Sequence, residues 1–301
     1  CRWWTAAESF FPKKPDLRIG RLDIVYTPKI IYREAFYRDP LENPKFAAKL
    51  KLNGNFYRIP RSHGGHYEIS GGCHTFHSLL PPATYAAQHP EWYSAGQICL
   101  TNEGARKELT RNVLNWIRAN RTAGIVSVSQ NDCHGPCECE KCKAVVQEEG
   151  SHSGPLIRFV NAVAEEVEKE FPDVLVETLA YQYTRKAPLH VKPRHNVVVR
   201  LCSIECSFTH PLDSEANKAF RDDIIAWKAI APNLYIWDYV TSTAAQRLAF
   251  TLEEDSLSRI FAPLYRGLPR DIPFLSTHPW TGHAAVNAGL ENIVTIIPDN
   301  F

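Results

Sequence analysis

The chain has 301 residues, of which 44% are hydrophobic and 22% charged, so it can bury the core of one large domain and is not expected to be disordered. Lysine and arginine together number 34 and acidic residues 33, and no basic stripe gathers on one predicted helix or loop, which excludes nucleic acid as an expected partner. No run of about eighteen apolar residues occurs, so no membrane span is predicted.

Short β-rich runs alternate with amphipathic helices along residues 21–241, the pattern of a parallel sheet with helices outside it. Six runs are the predicted strands: residues 30–34, a shorter run that ends near Gly72, and residues 124–129, 174–181, 196–202 and 234–238.

Three predicted helices lie between these strands. Asn102 is a cap residue before the first, and Ser153, with Pro155 close behind it, opens a long second helix. The third is predicted over residues 214–231. About six strand–helix units precede residue 242, whereas a full barrel has eight. The predicted fold is therefore an α/β protein of the (β/α)8 TIM-barrel type that is incomplete or irregular at its C-terminal end.

The pattern weakens after residue 241. Residues 252–261 read as a short helix, a loop rich in proline and histidine follows, and residues 293–297 read as a strand. The chain begins with Cys1 and contains no methionine, which we interpret as a piece of a longer protein. Nine cysteines favour export, so a secreted or periplasmic location is expected although no signal peptide is present.

Polar residues follow the predicted strands, and in a parallel barrel such strand ends form one face. Asp132, Glu205 and Asp238 are the candidate catalytic carboxylates, because glycoside hydrolysis needs an acid and a second carboxylate as nucleophile or base. We predict Glu205 as the acid, with either aspartate as its partner; a buried salt bridge is the alternative for any one of the three. The candidate substrate contacts, or else structural hydrogen-bonding groups, are Arg33, Glu34, His74, His77, Asn131, Tyr181, Gln182, Trp237 and Tyr239.

A cysteine-rich loop spans residues 132–142. Soft ligands this close in sequence can hold zinc, and the candidate ligands are Cys137, Cys139, Cys142 and His134. Disulfides and free thiols are the alternatives, and nothing marks one thiol as an activated nucleophile. We predict a structural loop with no metal or other cofactor, and keep zinc as the alternative.

Five separated stretches, at residues 74–77, 89–93, 127–142, 201–206 and 235–239, resemble the bacterial family catalogued as domain of unknown function 4838. The resemblance covers residues 1–241. It implies a relative of barrel glycoside hydrolases, preceded by a domain similar to that of α-glucuronidases. Residues 1–20 are then a lead-in from that domain and residues 21–241 the barrel. Residues 242–301 are a divergent tail, because the family's late Glu-Gln-Gly motif does not appear there.

These observations predict a glycoside-hydrolase-like protein that acts on a carbohydrate ligand by carboxylate acid/base catalysis. The alternative is a non-catalytic carbohydrate-binding barrel, in which the same carboxylates only accept hydrogen bonds from sugar hydroxyls.

Overall fold

The computed structural model describes residues 2–3, 6–7, 9–10, 20–25, 28–35, 38–207, 210–239 and 294–297. The predicted lead-in and divergent tail therefore lie largely outside the described residues. Within them, no helix is both long enough and apolar enough to cross a membrane.

A seven-stranded parallel sheet forms the centre of the structure. Its strands are β3 (Arg33–Ala35), β4 (Ile69–Ser70), β5 (Ile125–Ser127), β6 (Leu175–Ala180), β7 (Val197–Cys202), β8 (Asn233–Tyr239) and β9 (Val294–Ile297). The order is β3-β9-β8-β7-β6-β5-β4, and every neighbouring pair is parallel. The prediction of a parallel sheet is thus confirmed. A separate antiparallel pair joins β1 (Arg2–Trp3) to β2 (Ser9–Phe10).

Eight helices connect the strands of the described chain: α1 (Arg38–Glu42), α2 (Pro44–Lys49), α3 (Phe76–Leu79), α4 (Pro82–Tyr85), α5 (Glu103–Ala119), α6 (Glu140–Glu149), α7 (Ser153–Glu170) and α8 (Lys218–Ile230). The predictions for α5, α7 and α8 are confirmed. Helix α6 was not predicted and begins inside the cysteine-rich loop.

Both faces of the sheet are buried. On β7, Val197, Val199 and Leu201 pack against the helices, whereas Val198 and Cys202 point to the opposite face and join two separate buried clusters. Burial on both faces explains why the strands read as continuous apolar runs rather than alternating ones. The strand pairs of the described residues leave β3 and β4 at the two edges, so the structure shows a parallel sheet with helices, and closure into a barrel stays a prediction.

The Asn102 cap yields a stability prediction. Its side-chain oxygen accepts a hydrogen bond from the Ala105 main-chain N–H at 3.0 Å. Asn102→Ala leaves that N–H without its partner, so we expect a loss of about 1 kcal/mol in the free energy of unfolding. Urea unfolding followed by circular dichroism measures it. Asn102→Asp, which restores an acceptor, should recover most of the loss, and an unchanged midpoint in the alanine variant would contradict the capping role.

Candidate functional site

Side chains from three strand-end loops meet around Tyr181, which directly follows β6. Its hydroxyl donates a hydrogen bond to Asp132 Oδ1 at 3.1 Å and accepts one from Gln182 Nε2 at 3.0 Å. The His74 ring lies 5.7 Å from the Tyr181 ring, centroid to centroid. We call Asp132, Tyr181, Gln182 and His74 the strand-end cluster. The structure thus brings together four residues that the sequence placed after three different strands.

Gln130 was not predicted as a site residue, but its hydrogen bonds connect these loops. Its main-chain oxygen lies 2.8 Å from His74 Nδ1, and its side-chain amide donates to the Tyr181 carbonyl at 3.2 Å. Its side-chain oxygen accepts a hydrogen bond from Thr184 at 2.5 Å. Gln130 is fully buried, so its polar atoms depend on these bonds and fix the loops relative to one another.

The backbone of the cluster is strained at two positions. His74 has φ +55° and Gln182 has φ +52°, both in the left-handed region that non-glycine residues seldom adopt. Such conformations persist only where the surroundings enforce them, and they gather at functional sites. The strain therefore marks this loop group as a candidate site, independently of its polar composition.

Two buried polar atoms have no hydrogen-bond partner in the described part of the chain: Gln182 Oε1, within the strand-end cluster, and Trp237 Nε1, beside it. The half-buried Trp237 ring stacks on the Tyr239 ring, with centroids 5.9 Å apart and planes 18° from parallel. Buried polar atoms are normally paired, so an unpaired acceptor and an unpaired donor are positions that a polar ligand can satisfy.

Glu205 lies in the loop after β7 and is 40% exposed. Its carboxylate forms an ion pair with Arg185 at 2.9 Å, and Arg185 also contacts Asp223 at 2.7 Å. Burial is the largest cause of a raised Tyr181 pKa, and the negative charges of Asp132 and Glu205 raise it further. Ile204, the neighbour of Glu205 in sequence, packs against the buried group that contains Tyr181.

Asp238 does not join them. It is 3% exposed and accepts a hydrogen bond from the Ser203 hydroxyl at 2.7 Å. Along β8 its side chain alternates with those of Trp237 and Tyr239, so it points to the helix-packed face with Ile236. The expectation that Asp238 shares a face with the other two carboxylates does not fit this alternation, and its catalytic role stays a prediction.

Two predicted substrate contacts near β3 form hydrogen bonds within the protein. Arg33 begins β3 instead of ending it, and its guanidinium donates to the main-chain oxygens of Ile30 and Lys51. Glu34 is buried, accepts hydrogen bonds from the Tyr32 hydroxyl at 2.7 Å and the Phe56 N–H at 3.0 Å, and has a pKa raised by burial. These bonds hold both side chains within the protein, and their contact with a substrate stays a prediction.

His77 and Asn131, two further predicted substrate contacts, connect neighbouring loops. Asn131 accepts a hydrogen bond from the His77 main-chain N–H at 3.1 Å and donates one to the Gly96 carbonyl at 2.8 Å. The His77 ring lies 6.2 Å from the Tyr93 ring, and burial lowers its pKa. Asn131 thus fixes the position of Asp132, its neighbour in sequence.

Four sulfur atoms form a compact group at the start of α6. The Sγ atoms of Cys99, Cys137, Cys139 and Cys142 all lie within 4.8 Å of one another. Three of these cysteines are candidate ligands of the zinc alternative, and Cys99 joins them in the structure, whereas the remaining candidate, His134, is exposed and lies outside the group. Four thiols in this arrangement can hold a metal ion.

A family profile described as Domain of unknown function (DUF4838) matches residues 3–251. The chain belongs to this family. The resemblance carried by the five stretches is confirmed. A second profile, Domain of unknown function (DUF6937), matches residues 212–301 and overlaps the first. No curated protein matches the chain.

Solved structures of endo-glycoceramidase II from Rhodococcus sp. are similar to this DUF4838 chain at low identity. The complex with a five-membered iminocyclitol is 12% identical with a TM-score of 0.32, and a second structure is 13% identical with a TM-score of 0.31. A complex with a cellobiose-like imidazole is 12% identical with a TM-score of 0.31. Each match covers 75% of this chain, which spans about 44% of the length of those structures.

Three residues of this DUF4838 chain were not predicted as site residues: Gln130, Thr184 and Cys99. Gln130 follows the predicted strand 124–129 directly, so its position alone was a usable signal. Thr184 and Cys99 carried no such signal. Thr184 acts through a turn that closes back on Tyr181, and Cys99 precedes a different helix from the other three thiols.

Proposed function

We propose that this chain is a glycoside-hydrolase-like protein that binds a carbohydrate at the strand-end cluster and hydrolyses it with Asp132 and Glu205. The observation that carries the proposal is the hydrogen bond from Tyr181 to Asp132, beside the unpaired Gln182 Oε1 and Trp237 Nε1. Ile204, the neighbour of Glu205, packs against the same buried group as Tyr181. A sugar offers hydroxyl groups that pair with such atoms and C–H faces that pack on aromatic rings. Ligand sites of this kind combine apolar walls with a few placed polar groups.

The ion pair with Arg185 holds the Glu205 carboxylate in place, with 2.9 Å between the charged atoms. Asp132 accepts a hydrogen bond from the Tyr181 hydroxyl. As expected from the sequence, Glu205 is the proposed acid that protonates the leaving oxygen, and Asp132 is the proposed partner that attacks the sugar or activates water.

The inner face of the sheet supports a barrel. Below the cluster, the buried Glu177–Arg200 ion pair lies between an aromatic upper layer and an apolar lower layer. Successive side-chain layers of this kind fill the interior of a closed (β/α) barrel. We propose that residues 21–241 form the barrel, that residues 1–20 lead in from a preceding domain, that residues 242–301 are a divergent tail, and that the protein is secreted or periplasmic.

A screen of aryl glycosides and uronides on the purified chain tests this function. For a substrate that is turned over, we expect Asp132→Asn and Glu205→Gln each to lower kcat/KM about 10²–10⁴-fold, while calorimetry still detects product binding. The matched controls are Asp173→Asn and Glu165→Gln, exposed carboxylates before β6 and on α7, which should leave kcat/KM unchanged.

Sugar binding without hydrolysis of any substrate would favour the non-catalytic binding barrel. If the chain binds no sugar and hydrolyses none, the proposal is rejected.

A further inference from the structure

We propose that Cys99, Cys137, Cys139 and Cys142 bind one zinc ion, which clamps the segment before α5 to the cysteine-rich loop. The distances carry the argument. Cys99 Sγ lies 3.8 Å from Cys139 Sγ and 3.9 Å from Cys142 Sγ. Four sulfurs at about 2.3 Å from a tetrahedral zinc are about 3.8 Å from one another. A disulfide would require about 2.05 Å, so the sulfurs lie at ligand spacing and not at bonding distance.

The local structure suits thiolate ligands. Cys139 is the N-cap of α6 and Cys142 lies in its first turn, where the helix dipole stabilises negative charge. The Thr101 hydroxyl lies 3.2 Å from Cys142 Sγ and 3.5 Å from Cys99 Sγ. Cys99 and Cys142 are buried, whereas Cys139 is exposed at the rim. Two buried and two more accessible sulfurs leave an entry path for the metal.

The proposed clamp lies beside a set of hydrogen bonds that join the same two segments. Gln97 Nε2 donates to the carbonyls of Asn131 and Cys133, each at 2.9 Å, and Gln97 Oε1 accepts from the Asn131 N–H at 3.0 Å. The segments are in close contact, because a Cβ on Gly135 (φ +107°) would lie 2.2 Å from the Ala95 oxygen. Asp132 lies between Asn131 and Cys133, so the metal would also hold this carboxylate in place.

The role is structural, since all four positions of the tetrahedron are filled by protein thiols and none is open to substrate. Tetrahedral sulfur sites also accept iron, so elemental analysis must distinguish the two metals. The metal-site proposal does not depend on the proposed function. Only the consequence for Asp132 rests on that function.

Elemental analysis of protein purified without chelator is the test. We expect about one zinc per chain and, for the metal-free protein titrated with Co²⁺, the visible absorption of tetrahedral cobalt thiolate at a one-to-one end point. Cys139→Ser, a change at the exposed rim, and Cys99→Ser should each lower the metal content several-fold. Cys133→Ser is the matched control, because this thiol lies in the same loop but outside the group and donates to the Gly96 carbonyl.

Should Cys99→Ser fail to fold, the wild-type cobalt titration and Cys139→Ser still decide the matter. One iron per chain would overturn the assignment to zinc. The absence of any metal together with no cobalt spectrum, a disulfide among the four cysteines, or equal metal loss in Cys133→Ser would overturn the site. These readouts need no turnover, so they fail or succeed independently of the hydrolase proposal.

Discussion

Arg200→Met is expected to lower the free energy of unfolding by about 3–5 kcal/mol, because it leaves Glu177 buried without its cation. Glu177 is 0% exposed and Arg200 4% exposed, and the Arg200 Nε to Glu177 Oε1 distance is 2.9 Å. The guanidinium also lies over the rings of Tyr235 and Trp237, at 4.6 Å and 4.9 Å from their centroids. Burial already raises the pKa of Glu177, and loss of the arginine charge removes the largest effect that opposes this rise.

Urea unfolding of Arg200→Met beside two controls measures this effect. Replacing both members of the pair, Glu177→Met with Arg200→Met, should recover most of the stability, since an apolar pair has no charge to desolvate. Arg118→Met removes a surface pair with Glu170, whose side chains are 44% and 40% exposed, and should cost only about 0–1 kcal/mol. Equal losses for Arg200→Met and Arg118→Met would show that the inner-face pair is not buried as described.

Trp227→Ala is the second change with a large expected effect, about 3–5 kcal/mol of unfolding free energy. Trp227 is fully buried where α8 packs on the sheet. Its indole N–H donates to the Arg185 carbonyl at 2.6 Å. Removing the ring leaves a cavity and an unpaired carbonyl, and it also loosens the residue whose guanidinium holds Glu205.

Trp227→Phe separates the two contributions. It retains much of the ring volume but loses the N–H donor, so the expected cost is smaller, about 1–3 kcal/mol. Ile225→Ala lies on the same helix but is 58% exposed, and it should stay within about 0.5 kcal/mol of wild type. Guanidinium unfolding monitored by circular dichroism measures all three. A loss in Trp227→Ala no larger than in Ile225→Ala would contradict the packing of α8 on the sheet.

The helices and strands with strong local patterns could be predicted from the amino-acid sequence alone. Asn102 caps α5 as predicted, and α7 covers the predicted stretch, although Ser153 is its first residue and His152 is the N-cap. Caps and helical periodicity depend on neighbours within a few residues. The buried runs of β6 and β7 were found from their β-branched content. The rule that polar residues after parallel strands converge correctly brought Asp132 to Tyr181.

The face of the sheet on which each side chain lies could be read only from the three-dimensional packing. Asp238 and Trp237 are adjacent in β8, and in a strand buried on both sides no alternation of polar and apolar residues tells the inner face from the helix-packed one. A boundary shift of a few residues likewise moved Arg33 from the end of its strand to the beginning. Cys99 joined the thiol group for a related reason: the pairing of its segment with the cysteine-rich loop depends on Gln97 and on long-range packing, which no local spacing records.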